Sequence, residues 1–160
     1  MRRAERRRGP RALRTRLRRR AALGAVAVVL AWSFSMLFAA RRGDWSHREI
    51  LDAIRMVESG DRDDVRDGDG GLAIGPYQIH RVYWQDALEA EPGLGGRYED
   101  CRRRAYAEKV IAAYMRRHAA DAWRSRDAQT IARVHNGGPT GPAKAATLTY
   151  WKRVREALER

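Results

Sequence analysis

The chain has 160 residues, enough for one modest domain and too few for two. A single cysteine excludes an intramolecular disulfide framework, and a formal charge of +13 first suggests a nucleic-acid binder. The charge is uneven, however: residues 1–42 hold 13 of the 33 Lys+Arg and one of the 20 Asp+Glu, leaving 20 basic and 19 acidic residues in a nearly neutral remainder.

In chain order, the Arg-rich tail 1–20 comes first, followed by AALGAVAVVLAWSFSMLFAA at 21–40, an uncharged apolar run bounded by arginines. At about 1.5 Å per residue, such a helix spans a hydrocarbon core of about 30 Å. The spacing predicts a transmembrane signal-anchor. By the positive-inside rule the tail is cytoplasmic and residues 41–160 lie on the outer side, periplasmic or extracellular. Cleavage after Ala39-Ala40 is the alternative, and would release a secreted domain. Read this way, the basic tail is a topology signal, and no nucleic-acid partner is expected.

Beyond residue 41 the pattern is mainly helical. A helix is predicted over 46–58, opened by the capping pair Ser46 and Glu49, with Ile50, Leu51, Ile54 and Val57 on one stripe and Ser59-Gly60 as the stop. The segment 61–71, DRDDVRDGDGG, is a polar loop with five aspartates. LAIGPYQI at 72–79 reads either as a short strand or as the lead into a helix over 81–90. Further helices are predicted over 100–117, from N-cap Asp127, and over 142–158 with Leu148, Trp151, Val154 and Leu158 buried. His135-Asn136-Gly137-Gly138-Pro139 reads as a turn.

Cutting a glycosidic bond takes a carboxylic acid that keeps its proton near neutral pH, which apolar surroundings favour, and a second carboxylate that stays ionised in a polar setting. Glu58, at a helix end beside an apolar stripe, suits the first role, and the aspartate-rich loop offers candidates for the second. His47, His80 and His118 lack the spacing of metal ligands, so neither a metal nor a cofactor is expected.

VESG at 57–60, DGGLAIGPYQIHRVYW at 69–84, AYMRR at 113–117 and ARVHNGGPTGPAKAATLTYWKRV at 132–154 occur in this order. Together they resemble the invertebrate-type (destabilase-like) lysozyme family, within the wider lysozyme and soluble lytic transglycosylase superfamily. The resemblance implies a lysozyme-like fold over 41–160 that cleaves peptidoglycan glycan strands. It places the family's catalytic Glu on Glu58 and its catalytic Asp on Asp69, with Asp67 as the fallback because the loop aligns one residue short. It also places Tyr77, Gln78, His135, Asn136 and Gly137 along the sugar groove, where amides that both donate and accept suit N-acetyl and hydroxyl groups; Tyr114 joins them as a candidate because its ring could stack on a sugar face. Positions that are cysteine in that family are apolar or small here, Ile74 among them. The isopeptidase activity of some members is not carried over.

The expected reaction is retaining hydrolysis of the β-1,4 bond between N-acetylmuramic acid and N-acetylglucosamine by a membrane-tethered muramidase. Its carboxyl pair should lie about 5–6 Å apart, against about 6.5–9.5 Å for inversion. Two alternatives stand beside it: a lytic transglycosylase with one catalytic Glu, and a non-catalytic wall-binding module.

Overall fold

A computed structural model describes residues 45–160; the expected Arg-rich tail, 1–20, and membrane-spanning helix, 21–40, lie outside the described residues. No helix among the described residues is long and apolar enough to cross a membrane. The first helix, α1 (His47–Ser59), starts where the sequence predicts, give or take one residue. The Ser46 hydroxyl accepts from the Glu49 N–H, while Glu49 Oε2 accepts from the Ser46 N–H at 2.7 Å, so two orphan donors of the first turn are satisfied together. Gly60, at φ 64°, ends the helix, and its N–H donates to the Met56 carbonyl at 3.0 Å. Ile50, Leu51, Ala53 and Ile54 form its buried face.

The LAIGPYQI segment resolves to a two-stranded antiparallel ladder, β1 (Ala73–Ile74) and β2 (Ile79–His80), pairing Ala73 with His80 and Ile74 with Ile79. The turn between them requires Gly75. Its φ is +72°, and a Cβ there would lie 2.2 Å from the Cys101 carbonyl oxygen. This close approach docks the hairpin on the 3-10 segment Tyr98–Arg102, and the Tyr98 hydroxyl bonds the carbonyls of Leu72 and Ile79 at 2.9 and 2.7 Å.

Next come α2 (Arg81–Ala90), α3 (Arg104–His118), the short α4 (Ala120–Ser125), α5 (Ala128–Gly137) and α6 (Ala146–Leu158). Helix α3 is the central element and buries Ala107, Val110, Ile111, Ala113, Tyr114 and Met115. Helix α2 packs on α3, and α1 and α5 both pack on α6. The core they enclose includes Ile50, Ile54, Ile131 and Val154, each fully buried and each contributing about 1.5–3 kcal/mol. Cys101 is also fully buried there as a free thiol.

Three expectations need correction. The predicted 100–117 helix is split, because Arg103 is extended at φ −89°, ψ 120°, leaving Asp100 in the 3-10 turn. The predicted turn at 135–139 is instead the last turn of α5, which runs through Gly137 and ends on Gly138 at φ 73°. Its final carbonyl, on Gly137, accepts from Lys144 Nζ at 2.6 Å. Of the predicted stripe on α6 only Val154 is fully buried, and its companions on the buried side are Thr147 and Tyr150; Leu148 is 49% exposed, while Trp151 and Leu158 are only partly buried. The polar tips of Thr147 and Tyr150 find partners inside the fold: the Gly141 carbonyl for the first, at 2.8 Å, and Glu58 for the second. That satisfaction lets two polar side chains take inward positions that hydrophobicity alone assigns to leucine and tryptophan.

Candidate active site

The α1 C-terminus delivers Glu58 to a cleft of 350 Å³ that is also lined by Asp69, Gln78, His80, His135, Asn136 and Arg153. A larger depression of 500 Å³ lies around α4 between Arg117 and Pro142, but none of these groups lines it. The cleft is therefore assigned on its chemistry and not on its size.

The Glu58 side chain is 19% exposed. Its Oε1 accepts from the Tyr150 hydroxyl at 2.7 Å. Burial pushes the Glu58 carboxyl above the usual carboxylate range, against smaller opposing effects of the Tyr150 bond, Arg153 and His80. Tyr150 lies well above the ordinary phenol value, first through burial and then through the neighbouring Glu58, so it remains a donor.

His135, with its side chain 4% exposed, lies 3.9 Å from Glu58 Oε1 through Nε2. Burial lowers its pKa to about 4, so the ring is neutral at neutral pH. Nε2 lies 3.2 Å from the Tyr77 carbonyl, which can only accept, so the ring hydrogen resides on Nε2. The Tyr77 carbonyl takes the His135 hydrogen, and the Tyr150 hydroxyl hydrogen is the one donated to Glu58 Oε1. The other oxygen, Oε2, is left to carry the acid proton.

Asp69 has a different setting. It sits at φ +50°, a left-handed conformation seldom taken outside glycine, at the start of the 3-10 turn Asp69–Gly71. Its side chain is 68% exposed, and Oδ2 lies 3.5 Å from His80 Nε2. Asp67 faces elsewhere and makes a two-pronged pair with Arg102, at 2.5 and 2.8 Å. The Arg102 bonds hold the Asp67 carboxyl below its ordinary value. Asp61 and Asp63 close on the buried Arg55 guanidinium behind the cleft, which ties the start of the loop to α1.

The remaining predicted residues divide. Gln78 lines the cleft at φ +48°, with Nε2 donating to the Gly75 carbonyl at 2.9 Å, and Asn136 lines it as an exposed side chain. Tyr77 does not line it: the side chain is fully buried and its hydroxyl donates to Glu108 at 2.8 Å, so only its carbonyl serves the site, through His135. Tyr114 is also a core residue, stacked on Tyr83 with ring centroids 3.6 Å apart. Gly137 packs against Thr147, where a Cβ would lie 2.6 Å from the threonine methyl. Its role is close helix packing.

Tyr150, His80 and Arg153 are the site residues that the sequence reading missed. Tyr150 and Arg153 sit one helical turn apart within the quoted YWKRV segment, and His80 follows Gln78-Ile79 directly, so position alone was the available signal. Among the described residues no group of His, Cys, Asp and Glu is placed to hold a metal ion.

Comparison with known proteins follows the same lines. The family model described as Destabilase matches residues 48–157. The lysozyme of Ostrea edulis is 35% identical over 85 residues, spanning 52% of this chain and 59% of that protein's length. The lysozyme of Meretrix lusoria is 35% identical over 111 residues, spanning 68% of this chain and 88% of that one. Among solved structures, an inhibitor-bound lysozyme from Meretrix lusoria superposes with a TM-score of 0.57 at 31% identity, covering 71% of this chain and 91% of the other. The Tapes japonica lysozyme superposes with a TM-score of 0.58 at 28% identity, covering 69% and 89%. The mainly helical architecture is thus lysozyme-like.

Proposed function

From the premise that the chain belongs to the destabilase family of invertebrate-type lysozymes, we propose that it is a lysozyme-type glycosidase that hydrolyses the β-1,4 bond between N-acetylmuramic acid and N-acetylglucosamine in peptidoglycan. The observation that carries this reading is the half-buried Glu58, held by Tyr150 and facing a cleft that also contains Asp69.

In the proposed reaction the Glu58 proton passes from Oε2 to the glycosidic oxygen as the bond to the sugar's anomeric carbon breaks. The exposed carboxylate of Asp69 supports the positive charge that develops on that carbon or attacks it directly. Glu58, now a carboxylate, takes a proton from the incoming water, and the product leaves with a reducing end. Gln78 and Asn136 are the amides that orient N-acetyl and hydroxyl groups. Asp69 in the cleft favours hydrolysis over a transglycosylase that works with one carboxyl group.

We further propose that residues 21–40 tether the enzyme to the cytoplasmic membrane, with 41–160 on the outer side, on the strength of the uncharged run and its flanking arginines.

Mass analysis of fragments released from purified cell walls tests the reaction. Reducing ends are expected, and 1,6-anhydro ends would replace the hydrolase with a transglycosylase. Glu58→Gln should lower the rate by at least about a hundredfold, the scale of a lost general acid, with the fold intact. A Glu58→Gln enzyme that still clears walls would refute the assignment.

A further inference from the structure

Arg153 is an odd neighbour for a catalytic acid. Glu58 works only while protonated, yet the Arg153 guanidinium lines the same cleft and biases Glu58 towards its ionised form, against the desolvation that keeps the proton on. A guanidinium carries five donor hydrogens, and one amine donates to the Val57 carbonyl at 2.9 Å. That bond anchors the side chain to the last turn of α1. Among the described residues, no carboxylate lies within salt-bridge distance of Arg153, whereas most arginines of the fold, including Arg55, Arg102, Arg104 and Arg116, are paired with acids. Arg153 is exposed, so its remaining donors face solvent at the cleft.

We propose that Arg153 is a specificity-determining residue that binds a carboxylate carried on the glycan within one sugar of the scissile bond. This rests on the glycosidase reading above, and it names the preferred substrate class as anionic, carboxylate-bearing glycans over neutral N-acetylglucosamine polymers. Guanidinium matches a carboxylate through two parallel N–H donors, a fit that a neutral hydroxyl does not offer. In peptidoglycan the lactyl substituent of N-acetylmuramic acid supplies the group, either as its own carboxylate in a peptide-free strand or through the stem peptide attached to it. Engagement of that anion also neutralises the charge acting on Glu58. The acid is therefore better protonated in the complex than in the free enzyme, and a substrate without the anion forfeits both effects.

The test compares three glycans of equal length on the full chain: a peptide-free muramyl oligosaccharide, a stem-peptide-bearing one and a chitin oligomer. The ratio of kcat/KM on charged to neutral glycan is measured for the wild type, Arg153→Gln and Arg153→Lys. Arg153→Gln is expected to shrink that ratio about tenfold, the size of one charge-assisted hydrogen bond. Arg153→Lys should retain part of it. A loss confined to the peptide-free glycan assigns the lactyl carboxylate, which is an amide once the stem is attached; a loss confined to the peptide-bearing one assigns a stem carboxylate, and a loss on both shows that the guanidinium accepts either. A ratio unchanged within about twofold of wild type in Arg153→Gln overturns the proposal. Calorimetric Kd values for the same glycans on wild type and Arg153→Gln give the ratio again without turnover. An enzyme that cuts none of them therefore removes the glycosidase reading while the binding preference is still decided.

Discussion

The two carboxyl groups of the cleft stand on unlike ground. Glu58 sits on the end of a capped helix, is 19% exposed, and has Tyr150 bonded to one oxygen with the buried, neutral His135 close by. Asp69 sits on a glycine-rich 3-10 turn, is 68% exposed, and has the His80 ring nitrogen Nε2 as its neighbour at 3.5 Å. Burial favours the protonated form of Glu58, whereas the Asp69 carboxyl stays in contact with water. Division of labour between two like groups needs this asymmetry, because identical surroundings would give both the same protonation state. The rigid element carries the group whose pKa must be displaced, and the exposed turn carries the group that needs only water around it.

The comparison predicts its own breaking points. The largest effect is expected from the exposed partner: Asp69→Asn should lower kcat by about a hundredfold, whereas Asp67→Asn, which loses only the pair with Arg102, should stay within about twofold of wild type. Measured rates on soluble peptidoglycan decide it, and the reverse order would move the second carboxylate to Asp67. An intermediate effect is expected at the buried group. Tyr150→Phe removes a bond that holds the Glu58 pKa down, so the alkaline limb of the rate profile should move to higher pH while kcat falls about tenfold. A limb that stays in place would reduce Tyr150 to a packing residue.

The smallest effect concerns stability. The folded pKa of Glu58 lies above its unfolded value, so its ionisation costs stability as pH rises through that range. Glu58→Gln should therefore melt a few degrees higher than wild type at neutral pH, since about 1 kcal/mol moves Tm by about 4–8 °C in a domain of this size. The gap should close below the ordinary glutamate pKa of about 4.3, where both side chains are neutral. Thermal melts across that window check the sign, and a lower Tm at neutral pH would contradict the burial argument.

The parts of this arrangement that sequence reveals are the local ones. Ser46, Glu49 and Gly60 announce α1 because caps act over three or four residues, and Glu58 follows from the helix they bound. The face of α6 was not legible, because it turns on a hydroxyl of Tyr150 meeting a carboxyl 92 positions away. A periodicity argument weighs Leu148 and Trp151 as better core residues and cannot see that partner. Tyr77 illustrates the same limit from the other side. A motif position marks it as part of the site, yet its ring turns inward to Glu108 and only its carbonyl, through His135, faces the chemistry.

Cys101, lying beneath Gly75 and fully enclosed, has its thiol pushed up to about 12, chiefly by burial. It is the only sulfhydryl in the sequence. Alkylating reagents act on thiolates that they can reach, so the folded protein should ignore iodoacetamide until the hairpin lifts off its seat. The labelling rate then clocks that opening motion, with no probe introduced and no reporter residue engineered.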